Sequence, residues 1–130
     1  MEIAVTQAQG RVPVTVFRIT GPITSNVELE AQAQAAYDAG ARNLLLDLSE
    51  VPYIATYGLR ALHFIYTLLR TSAPDESDAA VRKGIGDGTF MSPHLKLLKP
   101  TPHAVEALKV AGYDMFLEIH RDYDKALSTF

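Results

Sequence analysis

Residues 43–48 read Asn43-Leu44-Leu45-Leu46-Asp47-Leu48, an apolar run that lacks the alternation of a half-exposed strand. A strand that is apolar at successive positions needs cover on both faces. That condition is met in a parallel sheet whose strands are joined by helical crossovers. The flanking sequence supplies such a crossover. Upstream, Gly21-Pro22 ends a run of β-branched residues, and Ser25-Asn26-Val27-Glu28 has the form of a capping box. An alanine-rich helix is expected over 27–39, with Leu29, Ala33, Ala36 and Tyr37 on one face and Gly40 at its left-handed end. Strand, helix and strand in succession make a βαβ unit.

Further upstream, Ile3 and Val5 alternate with polar neighbours, Gly10-Arg11 offers a turn, and Val12, Val14, Val16 and Ile19 follow. This pattern predicts a hairpin, with Pro13 tolerated near the start of its second strand. Downstream, a second helix is expected from near Thr56 to about Arg70, with Leu59, Leu62, Ile65 or Tyr66, and Leu69 as its core stripe. Residues 71–94 differ from the rest. They hold two prolines, three glycines within 84–88, and room for a short helix at 74–83. We treat this stretch as an insertion. Leu95-Lys96-Leu97-Leu98 then reads as a strand. Thr101-Pro102 supplies a cap and a first-turn proline for a helix carrying Val105, Leu108 and Ala111 and closed by Gly112. A strand is expected over 115–119, and Asp122 can cap a last helix with Ala126, Leu127 and Phe130. The predicted order is ββαβαβαβα, an α/β fold with a mixed β-sheet and packed helices, forming one domain over 1–130.

Composition narrows the function. Of 130 residues, 48% are hydrophobic and 21% charged, with a net charge of −3, so no broad electrostatic pull toward nucleic acid or anionic lipid is expected. The chain has no cysteine, which removes disulfides, thiolate metal sites and cysteine nucleophiles. The residues after Met1 lack a basic, then apolar, leader, and no stretch has the length to span a bilayer. A cytoplasmic protein is the expectation.

Catalytic and ligand motifs are sparse. His63, His94, His103 and His120 show no metal-ligand spacing, and neither a metal nor a cofactor is expected. The glycines of 84–88 neither follow a strand nor precede the lysine of a phosphate loop. Asp75, Glu76 and Asp78 fit the first turn of a helix better than an acid–base pair. No Gly-x-Ser-x-Gly elbow is present, so no enzymatic activity is expected. One position stands out. Thr56 lies at a predicted helix start with Gly58 two residues on. It suits an N-cap, the commoner role of a hydroxyl there, and it also suits a regulatory phosphate at the positive end of a helix dipole.

The sequence resembles a STAS domain, the fold of bacterial anti-sigma factor antagonists and of the cytosolic tails of sulfate transporters. The resemblance runs through Ile19-Thr20-Gly21-Pro22-Ile23-Thr24, Asn43 to Ser49, Val51-Pro52-Tyr53-Ile54-Ala55-Thr56-Tyr57-Gly58-Leu59-Arg60-Ala61-Leu62, and Leu95 to Pro102. In that family the loop before the second helix reads Asp-Ser-Ser-Gly or Asp-Ser-Ala-Gly, and its first serine is phosphorylated by a kinase that doubles as anti-sigma factor. Here the loop reads Ala55-Thr56-Tyr57-Gly58: the hydroxyl and glycine are kept, the aspartate is absent, and tyrosine replaces a small residue. The family's acidic position near the end of the second strand matches Thr24. The resemblance therefore implies a protein-interaction switch resembling an anti-sigma factor antagonist, with Thr56 as phosphoacceptor. Its partner would be an anti-sigma factor or serine/threonine kinase of that type. Contacts would centre on Ala55, Tyr57, Gly58 and Arg60 and on the neighbouring Thr24, Ser25 and Asn26. The alternative is a phosphorylation-independent scaffold or ligand-sensing module. A homodimer is compatible with either.

Overall fold

The computed structural model describes residues 1–70 and 91–130. Strands β1 (Glu2–Gln9) and β2 (Pro13–Thr20) form the expected hairpin, in register from Glu2↔Thr20 to Gln9↔Pro13. Helix α1 (Val27–Asp38) crosses to β3 (Leu44–Glu50), and α2 (Thr56–Arg70) follows. After residue 91 come β4 (Leu95–Leu98), α3 (Pro102–Val110), a 3₁₀ turn (Tyr113–Met115), β5 (Glu118–His120) and α4 (Tyr123–Ser128). The sheet runs β1-β2-β3-β4-β5. β1 is antiparallel to β2 and every later pair is parallel. The order ββαβαβαβα and the mixed sheet are as read from the sequence. The helix expected at 74–83 and the 84–88 cluster lie outside the described residues.

β3 is covered on both sides. Leu44, Leu46 and Leu48 join Phe17, Ile19, Leu95 and Leu97 in the larger core, beneath Leu29 and Ala33 of α1, Leu62, Ile65 and Leu69 of α2, and Ala104 and Leu108 of α3. Leu45 faces the other way, with Val14, Val16 and Leu98, beneath Ala126 and Leu127 of α4. Each fully buried leucine contributes about 1.5–3 kcal/mol, so the apolar run is the largest local source of stability. On the α4 side, Lys96 is only 2% exposed. Its ammonium donates to Glu118 Oε2 at 2.6 Å and to the Thr129 carbonyl at 3.1 Å, and lies 5.2 Å from the Phe130 ring centre.

Local details differ from expectation, each for a physical reason. The capping box at 25–28 is not made. Asn26 holds the cap position without a side-chain cap bond and donates instead to Glu30 Oε2 at 2.6 Å, while Ser25 Oγ accepts from the Val27 amide at 3.3 Å. Thr101 precedes α3 but does not cap it through its hydroxyl, which donates to the Val51 carbonyl at 2.7 Å. The buried residues of α3 are Ala104 and Leu108; Val105 is half-buried, and Ala111 is exposed because the helix ends before it, at Val110. Residues 113–115 coil into the 3₁₀ turn after Gly112 (φ 79°), so the last strand begins at Glu118. Asp122 caps α4 as expected, its Oδ1 accepting from the Lys125 amide at 3.0 Å.

That backbone bond to Lys125 is the main reason the Asp122 carboxyl ionises below its ordinary value. A lowered folded-state pKa adds stability that is fully present above the unfolded value of about 4 and is lost as pH falls through the folded one. Asp122→Ala is therefore expected to lower the melting temperature at neutral pH. Thermal melts should show the gap to wild type narrowing as pH falls below about 4 and the Asp122 carboxylate takes up a proton. A gap that stays constant with pH would remove the carboxylate as its source.

Candidate functional site

The segment after β2 and the segment after β3 leave the sheet side by side, and backbone hydrogen bonds stitch them together. The Ile23 amide donates to the Tyr53 carbonyl at 3.1 Å, and the Ala55 amide donates to the Ile23 carbonyl at 2.9 Å. Ile23 and Ile54 thus form an isolated parallel bridge, both buried. This bridge aligns 24–26 with the start of α2. The two loops singled out in the sequence are brought together.

Thr56 is the first residue of α2, so the cap position falls on Ala55, whose carbonyl accepts from the Leu59 amide at 3.1 Å. The expectation that Thr56 serves as N-cap is corrected accordingly. One step into the helix its side chain no longer points back at the first-turn amides. The hydroxyl is exposed and has no hydrogen-bond partner among the described residues. Around it Tyr53 is 48% and Tyr57 55% exposed, and the Arg60 guanidinium sits 5.5 Å from the Tyr57 ring centre. Arg60 also follows Thr56 by four residues and so shares its side of the helix. The first turn of α2 carries no acidic residue. Its leading amides have no intrahelical acceptor, which makes this end receptive to an anion.

Thr24 and Ser25 are exposed, Asn26 and Ala55 half-buried. Gly58 is different: it is buried, on the underside of α2. A Cβ there would lie 2.6 Å from the Ile23 carbonyl oxygen and 2.8 Å from Ile54 Cγ2. Glycine at this position lets the helix rest on the bridge. Two further ties were not read from the sequence. Thr101 Oγ1 holds the Val51 carbonyl, and the Tyr113 hydroxyl donates to the Leu59 carbonyl at 2.8 Å, its burial pushing the phenol above its usual pKa. Their partners are carbonyls, which leave no mark in a side-chain pattern.

The histidines are dispersed. His63 and His103 are exposed on α2 and α3, His94 Nδ1 lies 3.0 Å from Asn43 Oδ1, and His120 Nε2 lies 3.3 Å from Glu118 Oε1. No group of three or more His, Asp or Glu suited to a metal occurs among the described residues. Nor, among them, is any helix long and apolar enough to cross a membrane.

With this geometry in place, the family model of the STAS domain matches residues 4–73. The chain belongs to the STAS domain family. No curated protein matches it. Among solved structures, this STAS domain is similar to a candidate anti-sigma factor antagonist from Thermotoga maritima, at 16% identity and a TM-score of 0.65, covering 95% of this chain and 90% of that one. It is also similar to an anti-sigma factor antagonist from Mycobacterium paratuberculosis, at 18% identity and a TM-score of 0.64, covering 97% and 92%. A third is the anti-sigma factor antagonist SpoIIAA in its unphosphorylated form, at 11% identity and a TM-score of 0.63, covering 96% and 93%. These likenesses establish the fold over nearly the whole chain.

Gly58→Ala tests the seat of the helix. Helix propensity alone would favour alanine by about 1 kcal/mol. The contact with a backbone carbonyl, which cannot swing aside, is expected to outweigh that and destabilise the domain by about 1–3 kcal/mol in urea titrations. Unchanged or raised stability would show that α2 does not rest on Ile23.

Proposed function

We propose that this STAS domain is a protein-interaction switch of the anti-sigma factor antagonist kind, acting by binding and not by catalysis. Its partner would be an anti-sigma factor that is also a serine/threonine kinase, and Thr56 would be the phosphoacceptor. The observation that carries the reading is an exposed hydroxyl, with no hydrogen-bond partner among the described residues, at the start of α2 on a fold shared with anti-sigma factor antagonists. Thr24, Ser25, Tyr53, Tyr57 and Arg60 surround it with hydroxyls, aromatic faces and one positive charge. Tyrosine and arginine are favoured anchors of protein interfaces.

The switch has a physical basis. A phosphate on Thr56 adds a charge of about −1.5 to −2. That charge sits well at the helix start and within reach of Arg60, so it costs the domain little. To a partner docked over the uncharged surface it is an added charge that has to be stripped of water for the two to meet. The modified domain therefore stays folded and loses its partner. The second reading, recognition without phosphorylation, is favoured by one observation: Ala55 and Tyr57 stand where the family carries an aspartate and a small residue.

The test combines kinase chemistry with binding. The partner captured from native extract is incubated with the domain and ATP, and mass spectrometry is expected to find phosphate on Thr56 of wild type and none on Thr56→Ala. Thr56→Ala should melt within about 0.5 kcal/mol of wild type, since the hydroxyl makes no hydrogen bond among the described residues, and should keep its affinity. Thr56→Asp should bind about 30-fold more weakly or worse, the equivalent of ~2 kcal/mol for an unpaired charge in the interface. Equal affinities of the two variants would leave the phosphorylation-independent scaffold as the reading.

A further inference from the structure

β1 is the edge of the sheet, with β2 on one side and no strand on the other among the described residues. The opposite edge, β5, is three residues long, whereas β1 presents eight in an unbroken register with β2. Long open edges in natural proteins are usually blunted by proline, lysine, a bulge or an overlying helix. Among the described residues β1 has none of these. Its sequence, Glu2-Ile3-Ala4-Val5-Thr6-Gln7-Ala8-Gln9, carries a single charge, at its first position. Helix α1 stands back from it, leaving a groove of about 690 Å³ with Val5 and Gln7 on the strand side and Ala35, Ala36 and Ala39 on the helix side. Val5 is 44% exposed on that edge.

We infer that β1 pairs with β1 of a second copy of this chain, antiparallel and centred on Val5, joining two sheets into one. This interface is independent of the Thr56 surface and stands whether or not that reading holds. Two-fold symmetry fixes which faces meet, and the exposure of Val5 sets the centre. A two-fold axis normal to the sheet keeps each face on its own side, so odd positions meet odd and even meet even. Centred on Val5, Val5 meets Val5 of the partner subunit, Ile3 meets Gln7 of the partner subunit, and Ala4 meets Thr6 of the partner subunit. Glu2 meets Ala8 of the partner subunit, so the only charged side chain of the strand faces no like charge. The pairing covers the exposed valine with its own equal and satisfies the outward backbone groups of both edges. A second copy is the occupant because its β1 offers the same eight-residue edge with one terminal charge, so the two edges meet with no like charges opposed. The two grooves then lie on the same face of the joined sheet, and the setback of α1 leaves space for the approach.

The experiment uses the whole chain. Light scattering and sedimentation should show wild type associating to dimers as concentration rises. Val5→Lys and Val5→Glu each set like charges opposite one another and should weaken self-association by about tenfold or more, with unchanged far-ultraviolet circular dichroism. An equimolar mixture of the two should recover the dimer, because lysine then faces glutamate. The chain lacks cysteine, so Val5→Cys places a single thiol at the axis and should cross-link under diamide much faster than Thr6→Cys, which faces Ala4 of the partner subunit. Wild type that stays monomeric into the millimolar range would overturn the inference. So would variants that dimerise like wild type, a mixture that fails to recover the dimer, or equal cross-linking at positions 5 and 6.

Discussion

One carbonyl oxygen, that of Ile23, organises the proposed interaction surface. It accepts the Ala55 amide at 2.9 Å and is also the atom against which Gly58 packs. A backbone acceptor cannot adopt another rotamer, so both the exit of the chain from β3 and the height of α2 above it are fixed. Thr56 is exposed for this reason and not by its own preference. Had a larger residue stood at position 58, α2 would have to lift or tilt, and Thr56, Tyr57 and Arg60 would move with it.

The bridge holds because what lies under it is rigid. Ile23 and Ile54 belong to the larger core, and β3 between them is clamped by apolar side chains on both faces. The α4 side is the thinner layer, covered by a helix of six residues. There Lys96 adds what apolar area does not. Its ammonium joins β5 through Glu118 and the end of the chain through the Thr129 carbonyl. Burying an ammonium is expensive unless its donors are met, and here two acceptors and an aromatic face are within reach. The cation specifies where the terminal helix lies more than it adds stability.

Much of this was legible from periodicity. The uninterrupted leucines of 44–46 announced two-sided cover, the alternation at Ile3 and Val5 announced the hairpin, and helical spacing in α1 and α2 picked out their buried faces. What stayed hidden depends on groups that every residue shares. The Ile23 bridge, Thr101 on the Val51 carbonyl and Tyr113 on the Leu59 carbonyl are all contacts to backbone. The capping hydroxyls show the same competition. Thr101 and Thr56 looked like caps because threonine often caps, but a more distant carbonyl took the first hydroxyl and a one-residue shift of the helix start freed the second. Lys96 could have been found: a lysine inside Leu95-Lys96-Leu97-Leu98 is a charge in an apolar strand and asks for a partner. Its partner sits directly across on β5, where the register pairs Lys96 with Glu118.

The strand order also bears on how the chain assembles as it is made. Strands are added to the sheet in the order in which they are synthesised, so no later strand has to be threaded between two earlier ones. Growth runs from β1 to β5 in a single direction. Until Leu95–Leu98 emerges, however, the far side of β3 is an open ladder of backbone groups flanked by Leu44, Leu45 and Leu46. The nascent N-terminal portion thus carries a template for incorrect strand addition, and the wait is set by how long translation takes to deliver β4.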